Sequence, residues 1–130
     1  MIIGLLSDTH DHIEPLKLAL KLLGDAGAAF YIHCGDVGGE AIIDVLAGVP
    51  CAFVWGNTDW DRDSLARYAL DLHLQVCDTF GQLPIGGKKI AITHGDDMGI
   101  VQHVMRDETF DYMFTGHTHV PHDRRHGRLR

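Results

Sequence analysis

Serine occurs only twice in the 130 residues, at Ser7 and Ser64, so a serine-based catalytic triad has little to draw on. Cysteine is scarce and odd in number: Cys34, Cys51 and Cys77 lie far apart with no Cys-x-x-Cys pair. That argues against a disulfide framework or a zinc ribbon, and the three read as reduced core thiols. Cys34 is close to Asp36, but no base and orienting group accompany it as a nucleophile would need. No apolar run approaches the roughly 18 residues of a membrane span. Met1 to Ser7 has neither the basic start nor the apolar length of a signal peptide, so a soluble cytoplasmic protein is expected. Basic surface is also lacking: the formal net charge is −7, which argues against general binding to nucleic acid or anionic membrane. Gly86-Gly87-Lys88 lacks the spacing of a phosphate-binding loop and reads as a turn. There is no internal repeat, low-complexity tract or linker.

The 45% apolar and 22% charged residues suit one globular domain over residues 1–130. Charge is unevenly placed. Residues 1–123 carry all eighteen acids against seven Lys and Arg, a formal −11, whereas Arg124, Arg125, Arg128 and Arg130 put +4 on the last seven residues. Fifteen of the acids are Asp, and ten His stand against four Lys. Short carboxylates and imidazoles are the side chains that ligate divalent ions, which makes metal binding the first chemistry to test.

Apolar runs of strand length alternate with segments of helical period, the pattern of β/α units around a buried sheet. Strands are predicted at Ile2 to Ser7, Ala29 to Cys34, Cys51 to Trp55, Lys89 to Thr93 and Asp111 to Thr115. Pro15 to Leu23 repeats Leu at 16, 20 and 23 and predicts a helix closed by a C-cap glycine at Gly24. Further helices are expected at Glu40 to Leu46, Asp63 to Leu70 and Gly99 to Asp107. Leu72 to Thr93 reads as a hairpin feeding a strand, with Gly86-Gly87 as its turn. Val120 to Arg125 is a strand candidate, followed by a tight turn at His126-Gly127 and a three-residue return.

Each of the five main strands ends in a polar cluster. Ser7-Asp8-Thr9-His10 follows the first, Gly35-Asp36 the second, Gly56-Asn57-Thr58-Asp59 the third, His94-Gly95-Asp96 the fourth and Gly116-His117-Thr118-His119 the fifth. Ligands of open α/β sheets bind outside the carboxyl ends of the strands, so five clusters at one edge predict a site. Residues two apart in extended backbone point the same way, so Asp8 with His10, and His117 with His119, can each offer two donors. The neighbouring glycines would supply sharp turns. Two Asp, one Asn and four His are too many donors for one tetrahedral ion and suit two ions about 3.5 to 4 Å apart.

In this order, D-x-H, G-D, G-N-x-D, H-G and G-H-x-H, the chain resembles the calcineurin-like metallophosphoesterases, most closely their small bacterial and archaeal phosphodiesterases. The resemblance spans residues 8 to 119 and implies an αββα sandwich with a mixed sheet. It further implies one metal held by Asp8, His10, Asp36 and His119 and a second by Asp36, Asn57, His94 and His117, with Asp36 bridging. Catalytic roles would fall to Asp36, Asn57 and His94, and substrate contacts to Asn57, Thr58 and His12. The metals would be Mn²⁺, or Ni²⁺, Fe²⁺ or Zn²⁺, and the reaction attack of a metal-bridging hydroxide on a small phosphodiester. Thr58 stands where the larger family branch has a His that can protonate the leaving group, so diesters and good leaving groups are favoured. The family also continues past G-H-x-H through a hairpin and an Asn-Pro-Gly-Ser turn, before which this chain stops, so a truncated hairpin, a disordered tail, or a homo-oligomer completed through the C-terminal segment is expected.

Of the remaining residues, Asp96 is a rim or loop residue, Asp59 and Asp61 read as caps of the following helix, and His33 as a satisfied core histidine. His73, His103, His122 and His126 belong to the surface. The rival to the enzyme is a scaffold that keeps the fold and uses its surface for partners, though a scaffold has no physical need of the metal ligands.

Overall fold

A computed structural model describes all 130 residues. The elements run β1 (Ile2–Leu6), α1 (Ile13–Asp25), β2 (Ala28–His33), α2 (Glu40–Leu46), β3 (Cys51–Phe53) and α3 (Arg62–Asp71), then β4 (Gln75–Val76), β5 (Phe80–Ile85), β6 (Lys88–Thr93), α4 (Met98–Arg106) and β7 (Tyr112–Phe114). Two sheets result. One is parallel in the order β1-β2-β3-β4; the other has the order β5-β6-β7, with β5 antiparallel and β7 parallel to β6.

Period-two alternation sorts the side chains into three apolar layers. Ile32, Cys34, Ala52 and Val54 face Leu83, Ile90 and Ile92 between the sheets. The intervening Tyr31, Cys51, Phe53 and Trp55 face outward and pack against Leu16 of α1, Ile42, Ile43 and Leu46 of α2, and Leu65 and Ala69 of α3. On the far side of the second sheet, Ala91 meets Val104 of α4, Phe110 and Leu129. Strands covered on both faces are why these runs are almost wholly apolar. The layers are those of the expected αββα sandwich.

Three local expectations fail. Helix α1 passes Gly24 and ends at Asp25 with Ala26 as its cap, because Gly27 (φ 95°), not Gly24, takes the left-handed conformation that stops it. The first apolar stretch after Leu72 becomes β4, which adds parallel to β3, so only β5 and β6 form the hairpin. Its turn, Gly86 (φ 58°) and Gly87 (φ 75°), has the two positive φ values a two-residue type I′ turn requires. Finally, residues 120–125 form no strand; Pro121 has no N–H to give to a ladder. The turn at His126-Gly127 does form, with His126 bridging Leu129. Beyond it, Arg130 lies along β7, donating to the Asp111 carbonyl (3.1 Å) and accepting from the Met113 N–H (2.9 Å). The C-terminal segment thus packs on its own chain.

Candidate metal centre

The carboxyl ends of β1, β2, β3, β6 and β7 open on one edge, where backbone hydrogen bonds stitch their loops together. The Asp8 N–H donates to the Gly35 carbonyl (2.9 Å), that of His10 to Asp36 (3.2 Å) and that of Gly116 to His94 (2.9 Å). These loops are not extended as the two-residue spacing implied. Asp8 (φ 56°), His10 (42°), Asp36 (53°), His117 (73°) and His119 (57°) all lie in the left-handed region. For residues with a Cβ that conformation costs of order 1 kcal/mol or more each, and it persists where the surroundings impose it. Two of the motif glycines serve for closeness and not for turning. A Cβ on Gly56 would stand 2.1 Å from Asp36 Oδ1, and one on Gly116 2.7 Å from Asp8 Oδ2.

The side chains converge on two carboxylate oxygens. Asp8 Oδ1 is faced by the Nε2 atoms of His119 (3.3 Å), His10 (3.7 Å) and His94 (3.9 Å). Asp36 Oδ2 is faced by Nε2 of His94 (3.3 Å) and of His10 (3.6 Å). His117 brings its Nδ1 to 3.3 Å from His94 Nε2. Two sets, Asp8–His10–His119 and Asp8–Asp36–His94, have donor atoms close enough to share an ion. Asp8 belongs to both, and Asp36 Oδ2 lies between His10 and His94.

Two features show that these donors fit cations. Asp8 Oδ1 is buried without a hydrogen-bond partner, although three imidazoles face it. Buried polar atoms are seldom left this way. His94, 1% exposed, holds its Nδ1 2.7 Å from the Cys34 carbonyl. A carbonyl only accepts, so Nδ1 carries the proton and Nε2 presents a lone pair toward both carboxylates, the usual arrangement of a metal-ligating histidine. Burial opposes ionisation of Asp8, but hydrogen bonds from the Ser7 hydroxyl and the His117 N–H, together with the neighbouring His119, outweigh it. Its carboxyl is held below the usual range and is ionised near neutral pH.

A family model of the calcineurin-like phosphoesterase superfamily domain matches residues 1–130. The chain belongs to this superfamily. Phosphodiesterase MJ0936 of Methanocaldococcus jannaschii is 30% identical over 122 residues, covering 92% of this chain and 74% of that protein. Among solved structures, an archaeal phosphodiesterase superposes with a TM-score of 0.89 at 27% identity, over 99% of this chain and 80% of that one. Yfce, a phosphoesterase from E. coli, shares the fold with a TM-score of 0.67 at 24% identity, over 99% of this chain and 76% of that one.

In this phosphoesterase domain the other expected site residues sit on the loops that follow β1, β2, β3 and β6. Asn57 and Thr58 are exposed after β3, and the Thr58 N–H donates to Asp36 Oδ1 (3.0 Å), which leaves Oδ2 facing the imidazoles. His12 is exposed at the N-cap position of α1 and makes no side-chain cap. Asp96 is exposed as well. Cys34 is buried, which pushes its thiol up to about 12, so it supplies no thiolate nucleophile.

Asp59 corrects the sequence reading. It caps no helix: Asp61 occupies the N-cap position of α3, and its side chain makes no cap either. Asp59 is instead buried, and its carboxylate accepts from the N–H groups of Gly56 (2.9 Å), Val37 (3.1 Å) and Gly38 (3.3 Å). It clamps the loop after β2 to the loop after β3. Arg62 grips the same loop through the carbonyls of Asp59 (2.8 Å) and Gly56 (2.9 Å). The phosphoesterase motif placed an Asp here, but only contacts distant in sequence reveal its work.

His33 is a core histidine with a task. Its Nδ1 accepts from the Gly35 N–H (3.2 Å), so Nε2 carries the proton and donates to Thr9 Oγ1 (3.0 Å). Thr9 in turn donates to the Val37 carbonyl (2.6 Å), tying the loop between Asp8 and His10 to that after β2. Burial pulls the His33 pKa down from 6.5 to about 4, against the opposing charges of Asp8 and Asp36. The unfolded chain therefore takes up a proton between pH 6.5 and 4 that the folded chain refuses. Stability is full above pH 6.5 and falls with pH across that window, by about 3 kcal/mol in all. Urea titrations of metal-free protein at pH 7 and pH 4.5 should show this loss, with a shallower pH dependence in His33→Gln. An unchanged dependence in that variant would refute the assignment.

Proposed function

We propose that the chain is a two-metal phosphodiesterase acting on small phosphodiesters. The observation that carries this reading is the convergence of imidazole nitrogens on the unpartnered Asp8 Oδ1 and on Asp36 Oδ2, in a superfamily of phosphoesterases. Asp8, His10, Asp36 and His119 would hold one ion, and Asp36, Asn57, His94 and His117 the other. When bound, two divalent cations neutralise phosphate oxygens and activate the attacking water. Manganese suits this mixed His and carboxylate set, as do Ni²⁺, Fe²⁺ and Zn²⁺.

The chain's own groups do the rest. The Cys34 carbonyl keeps His94 in the tautomer whose Nε2 is free, and the Thr58 N–H fixes the Asp36 carboxylate. Asn57, Thr58 and His12 are exposed, and in this reading their amide, hydroxyl and imidazole would hydrogen-bond phosphate oxygens. The Thr58 hydroxyl cannot donate a proton to a leaving group near neutral pH, so esters with good leaving groups react best. Diester preference accords with the archaeal relatives named phosphodiesterase. Three free cysteines suit a reducing compartment such as the cytoplasm. No helix is long and apolar enough to cross a membrane.

Hydrolysis of bis-p-nitrophenyl phosphate and p-nitrophenyl phosphate by metal-stripped protein, with and without Mn²⁺, tests the reading. Mn²⁺-dependent turnover of the diester above the monoester is expected. Failure of folded protein to turn over either ester would overturn it in favour of a scaffold. In Thr58→His the monoester-to-diester rate ratio should rise, by roughly 10²-fold at the low end of what a positioned general acid contributes; an unchanged ratio would count against the role given to Thr58.

A further inference from the structure

The chain has two tryptophans, used in opposite ways. Trp55 is 3% exposed and packs edge-on against Phe53, with ring centroids 4.9 Å apart. Trp60 is 90% exposed, more than any other large apolar side chain here. Tryptophan is highly buried on average, and an indole left in water adds nothing to the core.

The ring is free, but the backbone that carries it is fixed. Before Trp60, the Thr58 N–H donates to Asp36 Oδ1 (3.0 Å), the Asp59 N–H donates to the Gly56 carbonyl (3.2 Å), and the Asp59 carboxylate accepts from three further N–H groups. After it, Arg62 holds the carbonyls of Asp59 and Gly56 as α3 begins. The loop that brings Asn57 and Thr58 to the metal centre thus also presents the indole. Two peptide steps put the Trp60 Cα at most about 7.6 Å from that of Thr58, a separation that a nucleoside bridges. Strand β3 lies inside its sheet, between β2 and β4, so this loop borders neither the outer edge of β1 nor that of β7.

Charge narrows what can stack there. Residues 7–12, 34–39, 56–61 and 94–97, the loops after β1, β2, β3 and β6, contain no Lys or Arg, and Arg62, next in the chain after the third, is engaged with carbonyls. Asp61, Asp96 and Asp97 are exposed on these loops. A ring bearing a further anionic group would find carboxylates and no cation, so the ring that fits is uncharged.

We propose that Trp60 is a stacking platform for an uncharged planar ring of the substrate, a specificity-determining residue that selects nucleoside-like phosphodiesters over aliphatic ones. This rests on the phosphodiesterase reading above. Because the loop is ordered before a ligand arrives, stacking on it costs little further ordering. Every base has a π-face, so the selection is for a ring against none and is indifferent to which base it is.

The test compares the p-nitrophenyl ester of thymidine 5′-monophosphate with methyl p-nitrophenyl phosphate, both with Mn²⁺. The two share charge and leaving group. In wild type, kcat/KM should favour the thymidine ester by about tenfold, toward the lower end of what one base stacked on an aromatic side chain contributes. The preference should fall toward one in Trp60→Ala, survive in large part in Trp60→Phe, and change little with added salt, since neither ring is charged. A wild-type ratio near one, or a preference that persists in Trp60→Ala, would overturn the platform. Tryptophan fluorescence separates the two readings. If bis-p-nitrophenyl phosphate is not hydrolysed, the phosphodiesterase reading falls. Quenching by thymidine 5′-monophosphate but not by 2-deoxyribose 5-phosphate, lost in Trp60→Phe, still supports the platform, and equal emission with both overturns it. Self-association of the wild type that Trp60→Ala abolishes, measured by sedimentation, would give the indole to a second copy and overturn the platform as well.

Discussion

Asp36→Asn is expected to lower Mn²⁺-dependent hydrolysis of bis-p-nitrophenyl phosphate by a factor on the order of 10³ or more, because it removes a charge that both ions would share. Asp36 is 3% exposed, and its two oxygens have separate work: Oδ1 accepts from the Thr58 N–H, and Oδ2 faces His10 and His94. Asparagine has one acceptor. If its oxygen meets Thr58, an NH₂ group points at the metal centre; if it turns, two donors collide at Thr58. Calorimetric titration of Mn²⁺ should show lost stoichiometry alongside lost turnover. Without metal the variant should melt no lower than wild type, since it relieves repulsion between the Asp8 and Asp36 carboxylates. Retained Mn²⁺-dependent activity would sink the bridging role. A lower metal-free melting temperature would instead make the effect one of folding.

Asp59→Ala is expected to cause the largest loss of stability, by about 3 kcal/mol or more. The change strands the N–H groups of Val37, Gly38 and Gly56 in a largely buried loop junction. For a domain of this size that lowers the melting temperature by roughly 10 °C. Asp59→Asn keeps one oxygen and should lose about half as much. Thermal melts of the metal-free proteins measure this directly. A melting temperature within a degree or two of wild type would show that these N–H groups find other partners. Activity should fall as well, since the same junction positions Asp36 and the loop of Asn57 and Thr58.

The three-layer core was legible because strands covered on both faces write long apolar runs and helices write their period. Those signals are local and survive in one dimension. Helix α2 falls at its expected bounds, Glu40–Leu46, for that reason. The ends of α1 and the tail were harder. A glycine near a helix end does not say which residue turns left-handed, and a tail without regular pairing leaves no periodic mark. β4, two residues long, is set by the open edge of β3 more than by its own propensity.

The candidate site divides in the same way. The sequence by itself determined which donors are available and that they follow strand ends, because the order of β and α segments sends those ends to one edge. It also placed the glycines without which the Asp36 and Asp8 carboxylates could not approach the loops beside them. Only the tertiary structure decided the distances, the left-handed backbone that aims five of the donors, and the tautomer of His94, since each depends on a partner from another loop. Asp59 is the clearest instance. Its three N–H partners lie as far as 22 residues away in sequence, so one carboxylate that reads as a helix cap becomes the clamp between two loops of the centre.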